Sequence, residues 1–186
     1  MPILDVRFYK QPNDMYCHPT STKMVLNYAI SKFKIKQRNY SIRSIARIIG
    51  ADPAWGTPPG GIELINGALV NSRPSLRFIR QLSGTLREIF EEIDNNRPII
   101  AWINLTYSEV DPTWHAVVIV GYDRDKREVY YLDPQRTKQD PLVKCEIGDF
   151  IKNKLGQEGN IIKIEIGGKG QKTLISSSPI PKRETK

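Results

Sequence analysis

The chain has 186 residues, of which 39% are hydrophobic and 26% charged, a balance that fits one soluble globular domain with a single core and excludes global disorder. Its formal net charge is +8, and its two cysteines are too few for a disulfide framework, so both are expected as free thiols. The opening MPILDVRFYK lacks the apolar stretch and small-residue cleavage site of a signal peptide. The longest apolar run, AVVIVGY at 116–122, is too short to span a bilayer, so no membrane span and a cytoplasmic location are expected.

In chain order, the first half reads as helical. Met24, Val25 and Tyr28 stand at helical spacing within 19–33, where Pro19 suits a first turn. A second helix fits 41–49, capped by Ser41, with an apolar face of Ile42, Ile45, Ile48 and Ile49 and Gly50 as terminator. ADPAWGTPPGG at 51–61 is too rich in proline and glycine for regular structure and leads into a helix at about 61–71. Another helix fits 86–95, where Thr85 and Glu88 have the spacing of a capping box. From Pro98 the period changes. PIIAWINL, HAVVIVGYD, EVYYLD and NIIKIEI predict four strands, the middle two forming an antiparallel hairpin about Asp123–Arg127.

Charge is unevenly spread. Lys23, Lys32, Lys34, Lys36, Arg38, Arg43 and Arg47 follow one another with no acidic residue between Met15 and Ala51. This basic segment, 23–47, is a candidate patch for an anionic partner, with Phe33 and Tyr40 as stacking groups; a solvated face is the plainer account, and nucleic acid is disfavoured. After Gly167 the chain carries five basic residues and one acidic and has little apolar periodicity. The expected organisation is a domain over 1–167 and a basic flexible tail over 168–186.

A few residues can carry chemistry. Cys17 stands just before Pro19 and an amphipathic run, at the positive end of a helix, where a thiolate is favoured. Of the two histidines, His18 adjoins Cys17, and side chains at adjacent positions diverge; His115, on the expected third-quarter strand, is the better base. Asp133 in YYLDPQ sits where the hairpin would deliver it to His115, to fix the imidazole tautomer and stabilise the imidazolium. Gln11 and the Cys17 backbone amide would supply donors to an oxyanion. Taken singly, each has a plainer reading: a buried cysteine, a half-buried histidine, an Asp-Pro turn, a loop glutamine. Their joint order gives the constellation its weight. His18, Trp114 and Trp55 are candidate substrate contacts. No metal or cofactor is expected, because the spacings of Cys17, His18, His115, Asp133 and Cys145 suit no metal site.

Gln11, five intervening residues, then Cys17-His18-Pro19 and an apolar helix resembles the opening motif of papain-like cysteine peptidases. WHAVVIVGYD at 114–123 and VYYLDPQ at 129–135 are similar to the His and Asp segments of the bacteriocin-processing, double-glycine-leader peptidase family and its stand-alone relatives, and Arg97-Pro98-Ile99-Ile100 to the strand before the histidine. The resemblance spans roughly Phe8 to Pro134. It implies an α+β papain-like fold, with an N-terminal helical part carrying the Cys helix packed on a C-terminal antiparallel sheet carrying His and Asp. It also implies a peptidase or isopeptidase acting on a peptide or protein substrate through Cys17 (nucleophile), His115 (base), Asp133 (orienter) and Gln11 (oxyanion hole). The family pattern has glycine after the cysteine, where this chain has His18. That imidazole could fill the cleft, add a titrating group, or point outward. The same triad could serve an acyltransferase, and the same fold a non-catalytic binding module. Gly167-Gly168 resembles the kind of site that the double-glycine family cleaves.

Overall fold

The computed structural model describes residues 2–58, 60–106, 113–155 and 160–167. The expected tail, 168–186, and the second glycine of Gly167-Gly168 lie outside the described residues. Gly167 itself ends a strand.

The first helix, α1 (Cys17–Lys32), starts two residues earlier than its periodicity predicts, with Cys17 as its first residue. Every residue from Cys17 to Leu26 is buried, polar ones included, so α1 is a central helix rather than an amphipathic surface one. Lys23 is only 7% exposed; its ammonium donates to Asn39 Oδ1 and the Tyr40 carbonyl and lies 5.6 Å from the Tyr9 ring centroid. Tyr40 is likewise buried, its hydroxyl donating to the Ala68 carbonyl at 2.9 Å. The basic segment is therefore interrupted: its first lysine and one of its two expected stacking rings are structural.

Helix α2 (Ile42–Ile48) is capped by the Ser41 hydroxyl, which accepts from Ser44 N at 3.0 Å. The helix expected near 61–71 is instead a 3-10 turn at Gly61–Leu64 followed by α3 (Ile65–Leu69). Then comes β1 (Ser75–Gln81), a strand that the run SLRFIRQ did not announce, because arginines and a glutamine break its apolar alternation. Helix α4 (Leu86–Asp94) carries the full Thr85–Glu88 capping box. Strands β2 (Ile99–Asn104), β3 (Trp114–Asp123) and β4 (Glu128–Leu132) fall where their β-branched and aromatic runs place them. A further unannounced strand, β5 (Leu142–Glu146), leads through α5 (Ile147–Asp149) and a π-helical turn (Phe150–Leu155) to β6 (Ile161–Gly167).

The six strands form one sheet, antiparallel throughout, in the order β1-β6-β2-β3-β4-β5. Helix α1 packs on β3 and β2, and a single hydrophobic cluster joins helices and sheet. This is the α+β arrangement expected, a helical part first and a sheet after it.

The N-terminal segment straps this sheet. Leu4 N donates to the Val120 carbonyl at 2.7 Å, Ile3 bridges Gly121, and Gln11 N donates to the Pro134 carbonyl at 2.8 Å. The strap can come this close because Gly121, at a bulge between β3 and β4, has no side chain. A Cβ there would lie 2.6 Å from the Pro2 carbonyl oxygen. Gly121→Ala is expected to destabilise the fold by about 1–3 kcal/mol in urea unfolding. Gly67→Ala, in α3 with nothing within 4 Å of the added methyl, should be neutral or stabilising.

Candidate active site

Cys17 opens α1 on an uncapped turn: Tyr16 gives no side-chain hydrogen bond, and no acidic residue stands in the first turn. The helix's free N–H groups and its positive dipole end are thus left at the thiol. One turn on, at i+4, Ser21 Oγ donates to the Ala116 carbonyl at 3.0 Å. Positions i and i+4 share a helix face, so this bond brings the Cys17 end of α1 to the part of β3 that carries His115.

His115 is the second residue of β3 and is 4% exposed. Val118 pairs with Leu132 in the β3–β4 ladder, and continuing that register places Asp133 opposite Val117, diagonal to His115 on the same face. The diagonal is closed by a hydrogen bond: His115 Nε2 lies 2.7 Å from Asp133 Oδ1. Asp133 is itself fixed by the turn that follows, its Oδ1 also accepting from Gln135 N at 2.9 Å. With Nε2 engaged, Nδ1 is the nitrogen left free, and Cys17 is near enough to raise the ring's pKa.

Electrostatics follow from these partners. Burial pulls the His115 pKa down, but hydrogen bonds to Asp133 and Cys17, with the charges of both, outweigh it and raise the value to about 9. Burial pushes the Asp133 carboxyl up; the His115 hydrogen bond and charge, the Gln135 amide and Arg136 prevail and hold it below its ordinary value. Gln11 is tied to the residue after Asp133: its backbone is clamped to Pro134, and its side-chain amide is buried at 7% exposure with no protein partner for either Nε2 or Oε1.

Of the three expected substrate contacts, the structure brings two together. His18 points inward, 2% exposed, edge-on to Trp102 with ring centroids 4.9 Å apart and planes at 76°. Neither ring nitrogen has a protein partner. Burial first, then the charge of Arg80, lowers its pKa to about 3. His18 and Trp114 line a cavity of about 280 Å³ together with Trp102, Arg80, Thr57 and Asn160. Trp55 does not line it; that side chain is 89% exposed at the tip of the Pro/Gly loop. Sequence reasoning missed Arg80, because β1 was not recognised, and missed Thr57 and Asn160, which no local pattern distinguishes. A wider groove of about 600 Å³, between the N-terminal strap and the far half of α1, is lined by none of Cys17, His115, Asp133 or Gln11.

Both cysteines are free thiols. Among the described residues no cluster of three His, Cys, Asp or Glu side chains could hold a metal ion, and no helix is long and apolar enough to cross a membrane.

The family model of the Peptidase_C39 like family matches residues 3–153. A solved structure of a protein described as a C39-like peptidase from Bacillus anthracis superposes with a TM-score of 0.66 over 91% of this chain and 100% of that one, at 18% identity, a likeness of fold. No curated protein matches the chain.

The two histidines make opposite demands on stability. His18 stays neutral in the fold down to about pH 3, whereas an unfolded histidine protonates near 6.5. Its contribution is thus complete above pH 6.5 and is lost as pH falls toward 3. His115 has a raised folded pKa, so its contribution is complete below pH 6.5 and is lost as pH rises through about 9. Urea unfolding across this range should show greatest stability near pH 6.5, and His18→Leu should shallow the acid limb by about one proton per molecule while leaving the alkaline limb in place.

Proposed function

Since the chain belongs to the Peptidase_C39 like family of cysteine peptidase-like proteins, we propose that it is a cysteine hydrolase, a peptidase or isopeptidase working through a Cys17-His115-Asp133 triad and a thioester acyl-enzyme. The observation that supports this reading is the buried His115 ring bonded to the Asp133 carboxylate at 2.7 Å, with Cys17 at the start of α1 acting on the same ring.

The chemistry runs on those contacts. With its pKa near 9, His115 is an imidazolium at neutral pH, and the Cys17 sulfur at the positive end of α1 is the nucleophile, reacting as its thiolate. The thiolate sulfur attacks the scissile carbonyl carbon, and the C=O π electrons move onto oxygen. Gln11 Nε2 and the Cys17 backbone N–H donate to that oxyanion; the reading is supported by the side-chain amide being buried without a protein partner, a state that costs about 1–3 kcal/mol and suits a donor held ready for charge. As the C–N bond breaks, the imidazolium gives its proton to the leaving amine, and a thioester remains. Water, losing a proton to the now neutral His115, attacks the thioester carbon; collapse expels the Cys17 thiolate and releases the acid. Asp133 keeps its charge throughout and holds the ring in register.

A non-catalytic binding module accounts less well for a buried His115–Asp133 pair with Cys17 acting on its ring, and for the unpaired buried amide of Gln11. Iodoacetamide is expected to alkylate Cys17 well before Cys145 and faster than a small free thiol at neutral pH; labelling of Cys17 at the free-thiol rate would overturn the activated nucleophile.

Hydrolysis of a thioester or peptide substrate should lose its alkaline limb near pH 9, where the imidazolium deprotonates. In Asp133→Asn the carboxylate no longer supports the proton, and that limb should move to lower pH. Gln11→Ala should cost roughly 10²–10³ in turnover. A near-normal rate would remove the amide from the oxyanion role.

A further inference from the structure

The cavity beside the candidate active site has a wall of donors. His18 is the residue after Cys17 and Trp114 the residue before His115, so the cavity lies one residue along the chain from nucleophile and base, although none of Cys17, His115, Asp133 or Gln11 lines it. Around it stand the His18 ring, both nitrogens buried and unpartnered, and Thr57, whose hydroxyl is buried and unpartnered. The half-buried Arg80 guanidinium joins them from β1; its hydrogen bond to Asn160 Oδ1 is long, at 3.4 Å, and no carboxylate among the described residues forms an ion pair with it.

Buried polar groups left unpaired are costly, and two such side chains, His18 and Thr57, meeting a guanidinium at one cavity suit a ligand that satisfies them together. A neutral imidazole offers one N–H, a threonine hydroxyl one O–H, and a guanidinium a fork of N–H groups with a fixed positive charge. The ligand matching all three is an acceptor with negative charge. The indole faces of Trp102 and Trp114 leave the rest of the wall apolar, suited to a short methylene stem.

From this juxtaposition we infer that the cavity is a specificity subsite for a carboxylate of the substrate, bound by Arg80 with His18 and Thr57 as hydrogen-bond donors. The net charge of +8 acts in the same direction, favouring encounter with acidic partners. The inference deepens the hydrolase reading and rests on it for the word substrate. The carboxylate belongs either to an Asp or Glu side chain or to a peptide's C-terminus.

Three small probes separate these sources: N-acetyl-glutamate amide carries only the side-chain carboxylate, N-acetyl-glutamine only the terminal one, and N-acetyl-glutamine amide neither. Each is titrated into the full chain and followed by NMR of ring-labelled histidine. Only two histidines are present, so His18 is readily assigned. At least one acid should shift the His18 signal and bind tenfold or more tightly than the neutral amide. That preference should vanish in Arg80→Gln, be partly kept in Arg80→Lys, and weaken severalfold in Thr57→Val, with thermal melts checking that each variant is folded. Equal response to acids and amide, or an acid preference that survives Arg80→Gln, overturns the inference; the buried donors would then be served by water. Iodoacetamide labelling of Cys17 is read in parallel. Fast labelling without acid preference removes the subsite and keeps the hydrolase, whereas acid preference with a sluggish Cys17 keeps a carboxylate site and removes the hydrolase.

Discussion

One hydrogen bond ties the chain's two halves together where chemistry would occur. Ser21 Oγ on the Ala116 carbonyl joins the fifth residue of α1 to β3, and the residues flanking this bond are Cys17, one turn back, and His115, one residue back. The bond is buried, so its geometry is not loosened by competing water. It also explains why so polar a sequence as His18-Pro19-Thr20-Ser21-Thr22-Lys23 sits in the core. The helix is wrapped because its first turns are a docking surface, with Ser21 bound to β3, Lys23 bound to Asn39 and Tyr40, and the His18 ring set against Trp102. The buried hydroxyls of Thr20 and Thr22 find no protein partner and have no account in this scheme.

What the sequence disclosed follows the range of the forces involved. The α4 capping box and the Ser41 cap act over three residues and are readable from three residues. The β3–β4 hairpin is nearly as local; its Asp123-Arg124-Asp125-Lys126 turn is closed by Asp123 Oδ1 accepting from Asp125 N and Lys126 N. Strands β1 and β5 were hidden because they are the sheet's two edges, where charged residues such as Arg77 and Lys144 are tolerated and break the apolar alternation. That β6 lies between β1 and β2 is a non-local fact carried by no single segment.

The candidate site divides in the same way. Residue type and chain order single out Cys17, His115, Asp133 and Gln11 as candidates, because few side chains can fill those roles and only two histidines exist. The adjoining cavity was only half visible. His18 and Trp114 were noticed through their neighbours, while Arg80, Thr57 and Asn160 come from a hidden strand, a Pro/Gly loop and the start of β6. Trp55, the third candidate contact, stands in solvent away from this cavity.

The same burial has opposite consequences at the two histidines, and the difference lies in their partners. Desolvation disfavours an imidazolium at both, but His115 has a carboxylate and a thiol against its ring, whereas His18 has only uncharged walls and the repulsion of Arg80. This resolves the oddity of an imidazole beside the cysteine. Adjacent helix positions diverge by about 100°, so His18 cannot share the thiol with His115. Kept neutral, it adds no second positive charge that would drive the His115 proton off. The chain therefore carries a histidine next to its cysteine in sequence without creating two competing bases: one ring is charged by its partners, and the other is kept neutral by burial without them.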